Sequence, residues 1–158
     1  PQGSTGPSGP QGSTGPSGLQ GSSGETATTT NPSVTMSSED GAFSYTGSPI
    51  SATVLAIDSL RVVEIAGDFS TVSNFGTGQL SFELPFTCAV ENDGSSGHIH
   101  DASKVNRYLI VGECEAGTSK MELFYIGSKS QIEPLTGTSL VTLDTGDSFT
   151  LHATLLAQ

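Results

Sequence analysis

Beyond Gly41 the chain alternates short apolar segments with polar turns. The segment 79–86 (QLSFELPF) has an apolar residue at every second position, a period that predicts a half-buried β-strand. Segments rich in Val, Ile, Leu and Phe predict further strands at 50–57, 60–69, 105–113, 121–126, 139–143 and 148–157. No window combines a helical period with helix caps. The pattern therefore predicts an all-β head, an antiparallel jelly-roll-like sandwich.

Two of the predicted strands are apolar with little alternation. They lie at 60–69 and at 108–111, within the strand predicted at 105–113. Strands of this kind are usually covered on both faces. We expect one face to pack on the core of the head and the other on a neighbouring subunit.

The first 24 residues have a different period, because glycine occupies every third position. The glycines are Gly3, Gly6, Gly9, Gly12, Gly15, Gly18, Gly21 and Gly24. This period is typical of the collagen triple helix, in which three chains place a glycine at a crowded axis. The alternative is a flexible Gly/Ser/Pro linker. The chain opens in mid-triplet without Met, so we expect it to be a fragment of a longer stalk.

Proline in these triplets directly follows a glycine and never precedes one. Animal collagens carry hydroxyproline before glycine, so the pattern indicates a bacterial or viral maker without prolyl hydroxylase. After the triplets, residues 25–40 are rich in Thr and Ser with little to bury. We therefore predict a collagen-like stalk at 1–24, a neck at 25–40 and a β-sandwich head at 41–158.

Charge restricts the partners of the chain. Sixteen acidic and five basic residues give a net charge of −11 at pH 7. Such a charge repels nucleic acids and anionic membranes, and no segment is apolar enough to span a bilayer. We therefore expect no nucleic-acid partner and no membrane insertion. Two cysteines, Cys88 and Cys114, allow either one disulfide or two reduced core thiols.

Two segments carry a resemblance to known trimeric heads. The segment 140–151 (LVTLDTGDSFTL) resembles the end of jelly-roll heads in the complement and tumour-necrosis-factor superfamily, where the equivalent of Gly146-Asp147 makes a tight turn. The segment 58–86 resembles head domains at the tips of viral and phage fibres. Both resemblances imply a homotrimeric all-β head that follows a stalk.

One short motif has residues suited to a metal. His98 and His100 would point to the same side of a strand. Around a threefold axis three such pairs would supply six nitrogen ligands for iron, nickel or zinc, as similar pairs do for iron in some phage fibres. The alternative is two solvated histidines in a loop. Glu91, Asn92 and Asp93 offer oxygen ligands for calcium, or form a plain polar turn.

Receptor contact would fall on the loops of the head. Phe75 lies in the polar turn SNFGTG beside Asn74, where an apolar ring needs a cover from a neighbouring subunit or a receptor. With Asn92 and Asp93, these two residues are the predicted receptor-binding set. Tyr45 is a further aromatic candidate for a glycan. The sequence predicts no catalytic residues and no cofactor-binding motif, so we expect a protein that is not an enzyme.

These observations predict a homotrimeric virus fibre or spike that presents a receptor-binding head for host attachment. Its partners would be two identical chains, a host-cell receptor such as a glycan, and virion proteins that bind an upstream segment. We expect it at the virion surface. The alternative is a structural filament protein of a bacterial or spore surface with a trimerising head. A secreted animal recognition protein fits the proline pattern less well.

Overall fold

The computed structural model of the chain describes residues 2–6, 8–9, 25–47, 50–91, 95–104, 106–127, 131–138 and 143–158. Within these residues there are β-strands and no helix, which confirms the all-β prediction. The strands are β1 (Thr28–Thr30), β2 (Thr35–Ser38), β3 (Ser44–Tyr45), β4 (Ile50–Ile57), β5 (Leu60–Asp68), β6 (Val72–Asn74), β7 (Leu80–Glu83), β8 (Ser96–Asp101), β9 (Asn106–Cys114), β10 (Lys120–Ile126), β11 (Ile132–Pro134) and β12 (Ser148–Leu156). The described part of the chain contains no helix that could cross a membrane.

Ten strands form one antiparallel sheet, in the order β1-β4-β5-β12-β8-β9-β10-β7-β2, with β11 added to β10. The strands β3 and β6 pair separately. The antiparallel arrangement that was predicted is confirmed, and one continuous sheet supplies both walls of the core.

The sheet must curl, because its two edge strands are neighbours in sequence. The edges β1 and β2 are joined by residues 31–34 alone. Five steps of extended chain, from Thr30 to Thr35, reach at most about 18 Å. Eight flat inter-strand spacings would instead separate the edges by about 38 Å. The short connection therefore brings the two edges together.

The curl encloses a single hydrophobic core. Alternate residues of β12, such as Phe149, Leu151 and Leu155, are buried, while their neighbours face outward. Phe149 contacts Phe82 on β7, with ring centroids 5.4 Å apart, although four strand-to-strand steps separate β12 from β7 in the sheet. This contact across the core connects the two walls.

The core rings continue outward as a row of aromatic side chains. Phe149 stacks on Phe69 at 5.3 Å, and Phe69 meets Phe75 edge-on at 5.4 Å. Phe75 then contacts Phe43 at 6.2 Å, and Phe43 contacts Tyr45 at 5.7 Å. We call these residues, with Phe82, the aromatic row. The row runs without a break from the core to the partly exposed Tyr45.

Cys88 and Cys114 form a disulfide, which decides between the two alternatives left by the sequence. Both cysteines are fully buried. Cys88 pairs with Ala157 just beyond β12, and Cys114 ends β9. The disulfide therefore joins the segment beside the end of β12 to the end of β9.

The segment 25–40 is not the unburied spacer that its composition predicted. It contributes β1 and β2 to the sheet, and Val34 and Met36 are buried in the core. The sheet therefore begins before Gly41. Most of the stalk segment, residues 1, 7 and 10–24, lies outside the described residues, so its triple helix stays a prediction.

The predicted strands agree with β4, β5, β7, β9, β10 and β12 to within a few residues. β7 stops at Glu83, before Pro85, because proline cannot donate to a sheet. The strand predicted at 139–143 falls almost entirely outside the described residues.

Candidate functional site

His98 and His100 lie on β8 and point to the outer face of the sheet, both partly exposed. Across the ladder, His98 faces Leu109 and Thr150, and His100 faces Arg107. The strand alternation that was predicted for the pair therefore exists. Among the described residues of one chain, neither histidine joins a group of three or more metal-ligand side chains. The predicted iron, nickel or zinc site would take its further donors from the other chains around a threefold axis, and it stays a prediction.

Phe75, of the predicted receptor-binding set, lies within the aromatic row and is partly buried by Phe43 and Phe69. Contacts within the same chain therefore explain why an aromatic ring lies in a polar turn. Asn74 is exposed, and its side-chain oxygen accepts a hydrogen bond from the Gly76 backbone N–H at 2.9 Å. Asn92 and Asp93 lie outside the described residues. Glu91, the third member of the predicted calcium set, is exposed.

An open groove of about 320 Å³ lies where the β1–β2 connection passes β3 and β4. Tyr45, at the outer end of the aromatic row, lines this groove. The other lining residues are half polar and half apolar: Asn31, Pro32, Ser33, Val34, Thr35, Gly47, Ile50, Ser51, Ala52 and Thr53. The groove thus combines one supported aromatic ring with hydroxyl and amide groups.

The outer face of β9, β10 and β11 carries adjacent apolar side chains. Val111 on β9 pairs with Phe124 on β10, and Ile126 pairs with Ile132 on β11. Leu109 is 50% exposed and Ile132 is 57% exposed. We call these five residues the outer patch. Two of its residues, Leu109 and Val111, belong to β9, which contains the apolar segment 108–111 that was predicted to pack on a neighbouring subunit.

Three aspartates meet where two turns approach each other. Asp101 ends β8, and Asp144 and Asp147 bound the turn before β12, in which the Asp147 N–H donates to the Asp144 carbonyl at 3.2 Å. One carboxylate oxygen from each residue lies within 4.8 Å of the others. We call these residues the aspartate cluster. The tight turn expected at Gly146-Asp147 is therefore present, and its second residue also belongs to this cluster.

Backbone donors hold the carboxylate of Asp147 in place. One oxygen accepts from the Ala102 N–H at 3.0 Å and the other from the Asp144 N–H at 3.0 Å. Asp147 thereby joins the turn after β8 to the turn before β12. Asp144 accepts from the Gly146 N–H at 2.9 Å, which fixes the same turn.

The charges of the aspartate cluster are only partly balanced. Burial raises the pKa of Asp147, and the nearby charges of Asp144 and Asp101 raise it further, against the two backbone hydrogen bonds. The hydrogen bond from the Ser103 hydroxyl lowers the pKa of Asp101, and the backbone hydrogen bond and positive charge of Lys104 lower it further. Asp101 Oδ1 accepts from both of these residues, but the buried Oδ2 accepts no hydrogen bond. Lys104 Nζ lies 3.4 Å from Oδ2, and its side chain is about half exposed.

Another hydrogen-bonded aspartate, Asp40, has a structural role. Its exposed carboxylate accepts from Ser38, from the Ala42 N–H, and from both the N–H and the hydroxyl of Thr77. These bonds, that from Ser38 first, hold the pKa of Asp40 well below its usual range. Since both oxygens are occupied by the chain's own donors, Asp40 fastens two loops together.

No known family model matches the chain, and no curated protein sequence matches it. Among solved structures, the fold is similar to the crystal structure of Dettilon tailspike protein (gp208), with a TM-score of 0.57 at 11% sequence identity. The match covers 84% of this chain and 24% of that chain, so this chain spans about a quarter of the tailspike's length. The similarity shows an all-β fold like that of a spike protein segment.

Proposed function

We propose that the chain is the distal part of a homotrimeric virus or phage fibre that binds a host-surface receptor through its β head. The observation that carries the proposal is the curled antiparallel fold, which is similar to a segment of a tailspike. The glycine period of residues 1–24 supports a stalk of three chains. The role is one of binding, placed at the surface of the virion.

The outer patch supports association of identical chains. Contiguous exposed apolar side chains are typical of interfaces between proteins. The collagen-like triplets require three chains in a common register, and a second copy of the same head is the partner that three linked chains bring nearest. Contact through β9 would also cover the apolar strand that the sequence predicted to be buried on both faces.

Introducing charge into the outer patch should dissociate the trimer. We expect the wild-type chain to sediment as a trimer and the Leu109→Lys/Ile132→Lys variant as a monomer at the same micromolar concentration. Both side chains are exposed in the single chain, so the lysines should leave its fold intact. Sedimentation velocity, with circular dichroism to confirm the β content, makes the measurement.

The matched control is Val90→Lys, because Val90 is 46% exposed but lies outside the outer patch. It should remain trimeric. A wild-type chain that sediments as a monomer would contradict the trimer, and equal dissociation by the control would contradict the assignment of the patch.

The groove beside Tyr45 is the best candidate for receptor contact. An aromatic face with nearby hydroxyl and amide groups suits a saccharide, which offers apolar C–H faces and many hydroxyls. Tyr45 is held by its contact with Phe43, so the ring needs little further ordering when a ligand binds. Linked copies of the groove would add avidity to weak individual contacts.

The labelled chain should bind specific saccharides on a glycan array, and Tyr45→Ala should weaken that binding. We expect a loss of roughly tenfold in affinity, about 1.4 kcal/mol, from the missing ring. Val90→Ala, which removes an exposed apolar side chain outside both the groove and the outer patch, should bind as the wild type does. Melting temperatures would confirm that Tyr45→Ala is folded.

Two outcomes would count against receptor binding at the groove. Equal binding by Tyr45→Ala and wild type would place the receptor site elsewhere. Failure of the trimer to bind any glycan, or any strain in a panel of bacterial cells, would favour the alternative of a passive surface filament.

A further inference from the structure

We propose that the aspartate cluster is a calcium site that fastens the turn after β8 to the turn before β12. Asp101, Asp144 and Asp147 would each give a carboxylate oxygen. The site lies in neither predicted metal set, since it contains neither the histidines of β8 nor residues 91–93. It is separate from the groove and from the outer patch, so it stands independently of the proposed receptor binding.

The buried oxygen of Asp101 is the observation that points to a ligand. The Asp101 side chain is 0% exposed, and its Oδ2 has no hydrogen-bond partner in the structure. Its neighbour is the Lys104 ammonium at 3.4 Å, an ion pair that does not make a hydrogen bond, so this buried oxygen has lost water without gaining a hydrogen-bond donor. A cation bound by the three carboxylates would coordinate this oxygen directly.

The charge at the cluster matches a divalent cation. Among the described residues, one ammonium group, that of Lys104, pairs with the three carboxylates, which leaves two negative charges uncompensated there. Asp147 is also fully buried, so solvent screens this charge poorly. The Lys104 side chain is about half exposed, so its ammonium group can move aside when a cation enters.

The spacing of the oxygens suits calcium. Two ligands of one Ca²⁺, each at 2.3–2.6 Å, are separated by up to about 5 Å. The three oxygens of the aspartate cluster lie within 4.8 Å of one another. Magnesium needs shorter bonds and a stricter octahedron, and it gives up its waters reluctantly. We therefore expect Ca²⁺ to bind more tightly than Mg²⁺.

Calcium should stabilise the folded chain in proportion to its binding. We expect 1 mM Ca²⁺ to raise the melting temperature of the EDTA-treated 158-residue chain by roughly 5 °C, and 1 mM Mg²⁺ to raise it by less than half as much. Isothermal titration calorimetry should find one Ca²⁺ per chain. These measurements need no variant, so they test the site even if a substitution impairs folding.

Asp101→Asn is the informative variant. The retained Oδ1 still accepts from Ser103 and from the Lys104 N–H, and only Oδ2, which accepts no hydrogen bond and lies beside the Lys104 ammonium, is replaced. We expect this variant to fold, to lose at least tenfold in calcium affinity and to lose most of the thermal shift. Glu64→Gln, which removes one exposed carboxylate from β5, should keep the wild-type response.

Three results would contradict the calcium site. The first is that Ca²⁺ neither raises the melting temperature of the wild-type chain nor binds to it by calorimetry. The others are an equal thermal shift by Ca²⁺ in Asp101→Asn, or a thermal shift by Mg²⁺ that equals or exceeds that by Ca²⁺. The first result would leave a proton or the Lys104 ammonium as the resident counter-charge of the aspartate cluster.

Discussion

Replacing Phe149 with alanine should remove about 3–5 kcal/mol of the free energy of unfolding. Phe149 is 4% exposed and packs on Phe69 and Phe82, with ring centroids 5.3 and 5.4 Å away. The substitution loses the transfer free energy of a large side chain, leaves a cavity and removes two ring–ring contacts. Because Phe149 joins the two walls of the curl, the cavity would open at the centre of the core. Urea unfolding at fixed protein concentration measures the change.

Phe43→Ala provides the comparison for this experiment. Phe43 is in the same aromatic row but is only partly buried, so its removal should cost well under half as much. Similar losses for Phe43→Ala and Phe149→Ala would contradict the position of the core given by the structure.

Loss of the disulfide should have the second largest effect. Cys88 and Cys114 are 26 residues apart, and a loop of that length corresponds to about 3.5 kcal/mol of unfolded-state entropy. We expect Cys88→Ala/Cys114→Ala to unfold at correspondingly lower urea than the oxidised wild type. Removal of the buried sulfur atoms adds to the loss, since both residues are 0% exposed.

Reduced wild-type protein is the control for the disulfide experiment. Unfolded in urea with a reductant, it should approach the stability of the double variant. The oxidised form should resist the same reductant while folded, because both sulfurs are buried. A double variant within 1 kcal/mol of the oxidised wild type would contradict a stabilising role for the bond.

The alternation of apolar and polar residues was sufficient to predict a strand where one face of the strand lies in the core and carries several large apolar residues. β12 and β7 are of this kind. The apolar pattern does not mark β8 as a strand, although the proposed pairing of His98 and His100 requires one, because its buried positions are Gly97, Ile99 and Asp101 and only one of these is a large apolar residue. Gly97 lies so close to the Thr150 carbonyl of β12 that no Cβ would fit, so β8 requires a small residue there.

The sheet order and the aspartate cluster could not be derived from local patterns. β12, the last strand, lies between β5 and β8, and that order depends on tertiary packing. Asp101 is 43 residues from Asp144, so their proximity depends on the same order. One sequence signal was present: Asp101 follows Gly97 and Ile99 at the inward-facing period of β8, an unusual place for an acidic residue.

The four-residue connection between β1 and β2 also determines how the head would respond to mechanical force. A pull from the N-terminal side enters at β1, which is three residues long and pairs only with β4 along the sheet path. Once β1 detaches, the load reaches β2 at the opposite edge, where Val34 and Met36 are anchored in the core. The first strand would thus yield under low tension, while the remaining sheet stays closed until a larger load extracts the second.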